Sequence, residues 1–211
     1  MVTRIALPSS TSRIHSSLLD LIRDAIDQPD LTFNMRNLHL PISDDYELIL
    51  CRGTDVATVV GHGAADIGIT GYDMAVEWSL EHNLDLDIRS LPSRTSFVTF
   101  ATVSGRTVER IYTEYWNLTK AWQASSTRWA DAELVRLHGS SEGVIRTDER
   151  SAGVLLVTSG VTAEVNGLDL TMPLLETDAV VVRPKGSDHR IGHIDPSALP
   201  TLGMPTFVPG R

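Results

Sequence analysis

The stretch Leu155-Leu156-Val157-Thr158-Ser159-Gly160-Val161-Thr162 puts an apolar, strand-forming run directly before a glycine turn, and Glu164, Asn166 and Gly167 follow it. A strand that ends in Ser-Gly-x-Thr and opens into a helix is a βα unit, and such units build layered α/β sheets. Backbone N–H groups at a strand-to-helix turn converge on an anion, and hydroxyls at the rim add donors. The segment is therefore a candidate phosphate cradle. An ordinary tight turn carries the same short pattern, so these four residues alone leave both readings open.

The same alternation runs along the rest of the chain. Arg4 to Leu7 reads as a strand ending at Pro8, and the apolar spacing of Ile14, Leu18, Leu21, Ile22 and Ala25 predicts a helix from Arg13 to Asp27. Strands are expected at 46–52, 65–70 and 84–91, with helices at 55–61 and from Gly71 to about Glu81. A second unit is expected from about Ser96: a strand at 97–103, a helix over 108–123, a strand at 134–137, a short helix at 140–147 and a strand at 153–157. Leu174 to Arg183 carries a further apolar run. Strands alternating with helices predict largely parallel pairing. Residues 184–211, rich in Pro, Gly and His and without periodicity, read as an extended, partly ordered tail.

The formal charge of −9 argues against a nucleic-acid footprint, although a local patch of donors still suits a small anion. Cys51 is the single cysteine, so no intrachain disulfide forms, and its strand-like setting predicts a packed thiol. The apolar runs are too short to span a bilayer and the first eight residues lack a signal-peptide core, which predicts a cytoplasmic protein.

Read in order, several motifs resemble the short form of the ATP phosphoribosyltransferase family of histidine biosynthesis. They are Arg52-Gly53-Thr54-Asp55-Val56, the run Val59 to Asp73 containing Gly68-Ile69-Thr70-Gly71, Tyr115-Trp116-Asn117-Leu118-Thr119, Gly139-Ser140-Ser141-Glu142, and Ser159 to Thr162 through Asn166-Gly167-Leu168. The resemblance implies two α/β lobes of the periplasmic-binding-protein type II topology, with the active site in the cleft between them. Lobe I would hold residues 1–93 plus 174–211, and lobe II residues 94–173 with the phosphate-binding loop. It also implies the reaction: N1 of ATP joins C1 of phosphoribosyl pyrophosphate, and pyrophosphate leaves. Mg2+ carried by substrate phosphates, a homo-oligomer and a regulatory subunit resembling a histidyl-tRNA synthetase belong to the same expectation.

Carried over residue by residue, Ser159, Gly160, Val161 and Thr162 would hold the 5-phosphate. Arg52 and Glu142 would be catalytic. Ser9, Ser10, Thr11, Arg13, Gly68, Thr70, Gly71 and Asp73 would meet nucleotide or pyrophosphate. Each has a plainer explanation: an Arg52–Asp55 ion pair at a helix start, hydroxyls capping a helix, Asp73 favouring a helix N-terminus, and Glu142 as a first-turn carboxylate. The chain departs from the family at Ser9-Ser10-Thr11, where two cations and a glycine are lost and nearby Arg13 would partly replace them, and at Leu155 and Ser151, where the family has acids. Leucine holds neither a hydroxyl nor a hydrated Mg2+. Those departures keep two alternatives open: a paralogue acting on another nucleotide or ribosyl phosphate in a specialised nucleoside pathway, and a non-catalytic nucleotide-binding subunit. Asp188, His189, His193 and Asp195 read as a solvated tail and not a metal site, since Gly192 and Pro196 oppose the helix their spacing would need. Trp116, Trp122 and Trp129 read as core or lobe-surface packing, and a base-stacking role for any of them is the alternative, with no sequence feature to support it.

Overall fold

Parallel strands buried on both faces read as continuous apolar runs. β1 (Thr3–Pro8) is such a strand: Ile5, Ala6 and Leu7 are each fully buried. The computed structural model describes residues 2–9, 15–32, 37–91, 96–139 and 141–207. The chain divides into two units, residues 1–93 with 178–203, and residues 94–177 with 204–211. The return to the first unit therefore falls at 177/178, four residues later than the sequence suggested, and the last residues group with the second unit.

In the first unit β1 is followed by α1 (His15–Ala25), β2 (His39–Pro41), β3 (Tyr46–Cys51), α2 (Val56–Gly61), β4 (Ile67–Gly71), α3 (Tyr72–His82) and β5 (Leu86–Ser90). β11 (Ala179–Pro184) and β12 (Thr201–Leu202) join the same sheet, in the order β12-β5-β11-β4-β1-β3-β2. β1 is parallel to both β3 and β4, so the chain winds first to one side of β1 and then to the other. On one face Leu18, Leu19 and Ile22 of α1 pack against Ile5, Leu7, Leu48, Leu50, Ile67 and Ile69. α2 lies against Gly68: a Cβ there would stand 2.7 Å from a Val56 methyl.

The second unit contains β6 (Ser96–Thr102), β7 (Arg110–Thr113), α4 (Trp116–Ala124), β8 (Glu133–Arg136), α5 (Glu142–Thr147), β9 (Ser151–Val157), α6 (Val161–Val165) and β10 (Asp169–Thr177), with sheet order β10-β6-β9-β7-β8. It repeats the first plan. β7 lies between β9 and β8 and is parallel to both. β6 runs antiparallel to both β9 and β10, as β11 does to β4 and β5. In each unit that antiparallel strand is the first one formed after the chain changes units. Leu155, Ala101, Ile145, Ala163 and Leu168 form one buried cluster. Phe100, Trp122 and Trp129 stack elsewhere in the unit, with ring centroids 4.5–5.6 Å apart.

Three expectations need correction. The helix expected over 108–123 is strand β7 followed by α4: Ile111 and Thr113 are fully buried and alternate with half-buried Arg110 and Tyr112. The segment 174–183 is two strands, β10 and β11, belonging to different sheets. The supposed tail is pinned to the first unit at a few buried points, Ile191, Ile194 and Pro196. Ile191 is fully buried against the α1 face, and Arg183, 4% exposed, binds Asp87 (3.0 Å), the His189 carbonyl (3.0 Å) and Ser197 Oγ (2.9 Å). Asp195 accepts from the Ser197 N–H, and among the described residues no group of His, Cys, Asp and Glu is arranged to hold a metal.

The amino edge of the second sheet is braced by Asp148, which accepts from Arg110 Nε (2.8 Å), Arg110 Nη2 (2.7 Å) and the Tyr112 hydroxyl (2.9 Å). The Arg110 guanidinium, outweighing burial and joined by the Arg150 N–H and Tyr112, holds the Asp148 carboxyl well below the usual carboxylate range. A depressed folded-state pKa means that the stabilisation is complete above the unfolded-state value, about 3.9, and is lost as pH falls below it toward the folded value. Wild type should therefore exceed Asp148→Asn in unfolding free energy by a constant margin above about pH 5, and the margin should close in stronger acid. Urea unfolding across pH checks this; a margin at pH 2 as large as that at pH 7 would refute it.

Candidate functional site

In open α/β sheets ligands bind outside the carboxyl ends of the strands, where the winding reverses. In the first unit that place lies beyond β1 and its neighbours β3 and β4. Three loops are tied together there. The Ser9 N–H donates to the Cys51 carbonyl (2.7 Å), and Pro8 approaches Gly53. The Thr70 hydroxyl, 1% exposed, donates to the Gly53 carbonyl at 2.9 Å. This bond joins the Arg52 loop to the Thr70-Gly71 loop across 17 residues of sequence. Arg52 is exposed, and no ion pair joins it to Asp55 among the described residues. Asp55 instead accepts from the Thr54 hydroxyl at 3.0 Å. Asp73 is 4% exposed and folds over Gly71, where any Cβ would collide with its carboxylate.

One position reads differently from the sequence expectation. Gly68 is buried within β4, and its missing side chain makes room for Val56 and Val60 of α2, a packing reason and not a ligand contact. Ser10, Thr11 and Arg13 lie outside the described residues. Cys51 is half-buried, and burial, followed by the Asp55 charge, pushes its thiol up to about 11, which removes it as a nucleophile. The Thr70–Gly53 bond was hidden because neither residue type signals a partner at that separation. Its only trace was that both belong to the motif-bearing run.

Thr70→Val keeps the shape of this buried side chain and deletes the donor. Losing a hydrogen bond to this part-buried carbonyl costs about 0.5–1.5 kcal/mol. Chemical denaturation should show a loss of that size; a change below about 0.5 kcal/mol would mean that the bond does not hold the two loops.

In the second unit the turn after β9 reaches α6 through Gly160, whose φ of +76° places it in the left-handed region that glycine tolerates best. The N–H groups of Ser159, Gly160, Val161 and Thr162 have no acceptor among the described residues; the helix ladder begins with Glu164 donating to the Gly160 carbonyl at 2.9 Å. Such orphan donors are the physical basis of anion binding at helix starts. Ser159, Val161 and Thr162 are exposed, so the donors face solvent from an open turn. Glu142, half-buried in the first turn of α5, stands beyond β8 at the same carboxyl edge. Leu155 is 5% exposed and packs with Ala163 of α6, tying the short helix to the sheet. Ser151 is fully buried and donates to the Asp148 carbonyl at 2.8 Å. Asp148 precedes β9 at the opposite end of the strand, locked to Arg110, so it does not replace an acid at Leu155.

Two sheets of this order, each completed by an antiparallel strand from the crossing chain, define an α/β protein of the periplasmic-binding-protein type II topology. The fold matches an ATP phosphoribosyltransferase (HisG:HisZ) complex from Thermotoga maritima with a TM-score of 0.70 and 22% identity, covering 93% of this chain and 89% of that one. It matches a putative L-cystine ABC transporter from Listeria monocytogenes with a TM-score of 0.56 and 8% identity, over 89% and 84% of the two chains. The family model HisG, ATP phosphoribosyltransferase, matches residues 52–196. ATP phosphoribosyltransferases of Pseudomonas entomophila and Methylococcus capsulatus are 33% and 34% identical, each covering 78% of this chain and 79% and 78% of their own length. The chain belongs to the ATP phosphoribosyltransferase family, a family of glycosyltransferase-type enzymes. Among the described residues no helix is long and apolar enough to cross a membrane.

Proposed function

We propose that the protein transfers the phosphoribosyl group of phosphoribosyl pyrophosphate to N1 of ATP. The C1–oxygen bond to pyrophosphate breaks, the N1–C1 bond forms, and pyrophosphate leaves with the electron pair. The observation that carries this reading is the row of four N–H groups, Ser159 to Thr162, with no acceptor among the described residues in a chain of this family. That turn holds the 5-phosphate and fixes the ribose against translation, which is where much of the rate of such a transfer originates. Charge grows on the leaving group as the ribosyl centre becomes oxocarbenium-like. Arg52, fixed at its base by the Thr70–Gly53 bond and free at its tip, supplies a cation to that charge. The Ser9, Thr70-Gly71 and Asp73 edge meets the nucleotide and pyrophosphate, and Glu142 is the carboxylate assigned to the ribosyl centre.

Mg2+ in this scheme enters with the substrate phosphates and would lower the negative charge that the site must accommodate. With Leu155 and Ser151 inside the fold, the ribose hydroxyls are not held by a β9 carboxylate. The solved relative is a HisG:HisZ complex, which supports a regulatory subunit for this chain too, resembling a histidyl-tRNA synthetase. The test is pyrophosphate release from phosphoribosyl pyrophosphate, ATP and Mg2+, with and without that subunit. Turnover in either arm is the expected result, and none in both would sink the proposal.

A further inference from the structure

The three tryptophans of the second unit are not alike. Trp122 and Trp129 are 4% and 9% exposed and stack with Phe100 in the core. Trp116 is only half-buried. It is the first residue of α4, and the guanidinium carbon of Arg136, the last residue of β8, lies 5.4 Å from its ring centroid. Arg136 is itself exposed. The packing of α4 does not depend on this ring: Tyr115, Leu118 and Thr119 are fully buried, and the Thr113 hydroxyl accepts from the Tyr115 N–H (2.9 Å) and the Thr119 hydroxyl (3.1 Å).

The stack stands at a telling place. Thr113 pairs with Arg136 on one side and Val154 on the other. Trp116 and Arg136 therefore emerge at the carboxyl edge of the same sheet as Ser159 to Thr162. β8 and β9 lie two strand spacings apart across the sheet, about 10 Å, with β7 between them, and the Ser159 turn follows the Val157 end of β9. An indole carrying a planar cation is a surface on which an aromatic base stacks. We infer that Trp116 and Arg136 form a stacking platform for the purine base of a nucleotide substrate, and so set specificity for a base over a non-aromatic acceptor. This rests on the nucleotide chemistry proposed above and deepens it by naming the residues that grip the base.

The test is direct binding to the full chain, read by calorimetry with ATP and, separately, with ribose 5-phosphate as probe of the cradle. Trp116→Ala should weaken ATP by about 10- to 100-fold, the worth of one stacked base, and leave ribose 5-phosphate unchanged. Trp116→Phe should keep ATP affinity within about threefold, and Arg136→Met should fall between the two. In wild type, ATP should quench tryptophan emission, and Trp116→Phe should abolish most of the quench. Unchanged ATP affinity in a folded Trp116→Ala, equal losses for both probes, or a wild type that binds no ATP would each overturn the inference. Wild type that binds ATP with these variant effects but releases no pyrophosphate would keep the inference and refute the proposed reaction.

Discussion

Arg52→Met is expected to lower turnover by about 100- to 1,000-fold, the usual consequence of removing one preorganised donor to developing negative charge. The melting temperature should change by less than about 2 °C, because exposed side chains without partners contribute little to stability. The asymmetry is the point of the experiment. Arg52 is exposed, pairs with no carboxylate among the described residues, and stands on a loop held by a buried hydroxyl. A fold has no use for such a cation, whereas a leaving pyrophosphate does. The loss should appear in kcat more than in the KM for ATP, since the charge develops only as the bond breaks. Retained turnover in a properly folded variant would remove Arg52 from the machinery. A large drop in melting temperature would reassign it to structure.

Gly192→Ala is expected to lower stability by about 3 kcal/mol or more, or roughly 6–12 °C in melting temperature for a chain of this size. Gly192 has φ +52°, its N–H donates to the Tyr46 hydroxyl at 3.0 Å, and any Cβ would overlap the carbonyl oxygen of Ala25 at the end of α1. The neighbouring His193 N–H donates to that same carbonyl at 3.0 Å. Backbone at both sides leaves nothing flexible to yield. Gly186→Ala is the matched control: its φ is +79° but nothing lies within 4 Å of an added Cβ, so it should cost only the conformational strain, about 1 kcal/mol. Thermal unfolding of the two variants separates collision from strain. Equal shifts would mean that the segment around Gly192 is not seated as described.

How much of this was readable beforehand depended on how local each signal was. The turn at Ser159-Gly160 and the run from Arg52 to Asp73 declare themselves through glycine, hydroxyl and carboxylate spacing, and with them the α/β plan and the family. β7 was missed because Val108, Ile111, Tyr112 and Tyr115 fall at helical spacing, while the true buried alternation runs through a polar Thr113. The segment after Pro184 was misread because its apolar residues, among them Ile191, Ile194, Leu199 and Leu202, follow no helical or strand period; its order comes from Asp87, Tyr46 and the end of α1, all distant in sequence. Gly68 looked like part of a nucleotide loop because its motif is contiguous with Thr70, yet only packing with α2 reveals its reason. The three tryptophans looked equivalent because exposure is not written in a residue type.

The antiparallel strand β11 has a consequence for biosynthesis. It lies between β5 and β4, so without it the first sheet is split and β5 has no neighbour linking it to the rest. The second sheet is built wholly from residues 96–177. A nascent chain emerging amino end first ordinarily folds its first domain first. Here the order inverts. The first unit waits through the synthesis of the whole second one, roughly 4–17 s at 5–20 residues per second, holding open the edge of β4 that β11 will pair. The second sheet is complete before β11 emerges and is the first part of the molecule able to fold, and the sheet that positions Arg52 closes only after Val180 to Val182 arrive.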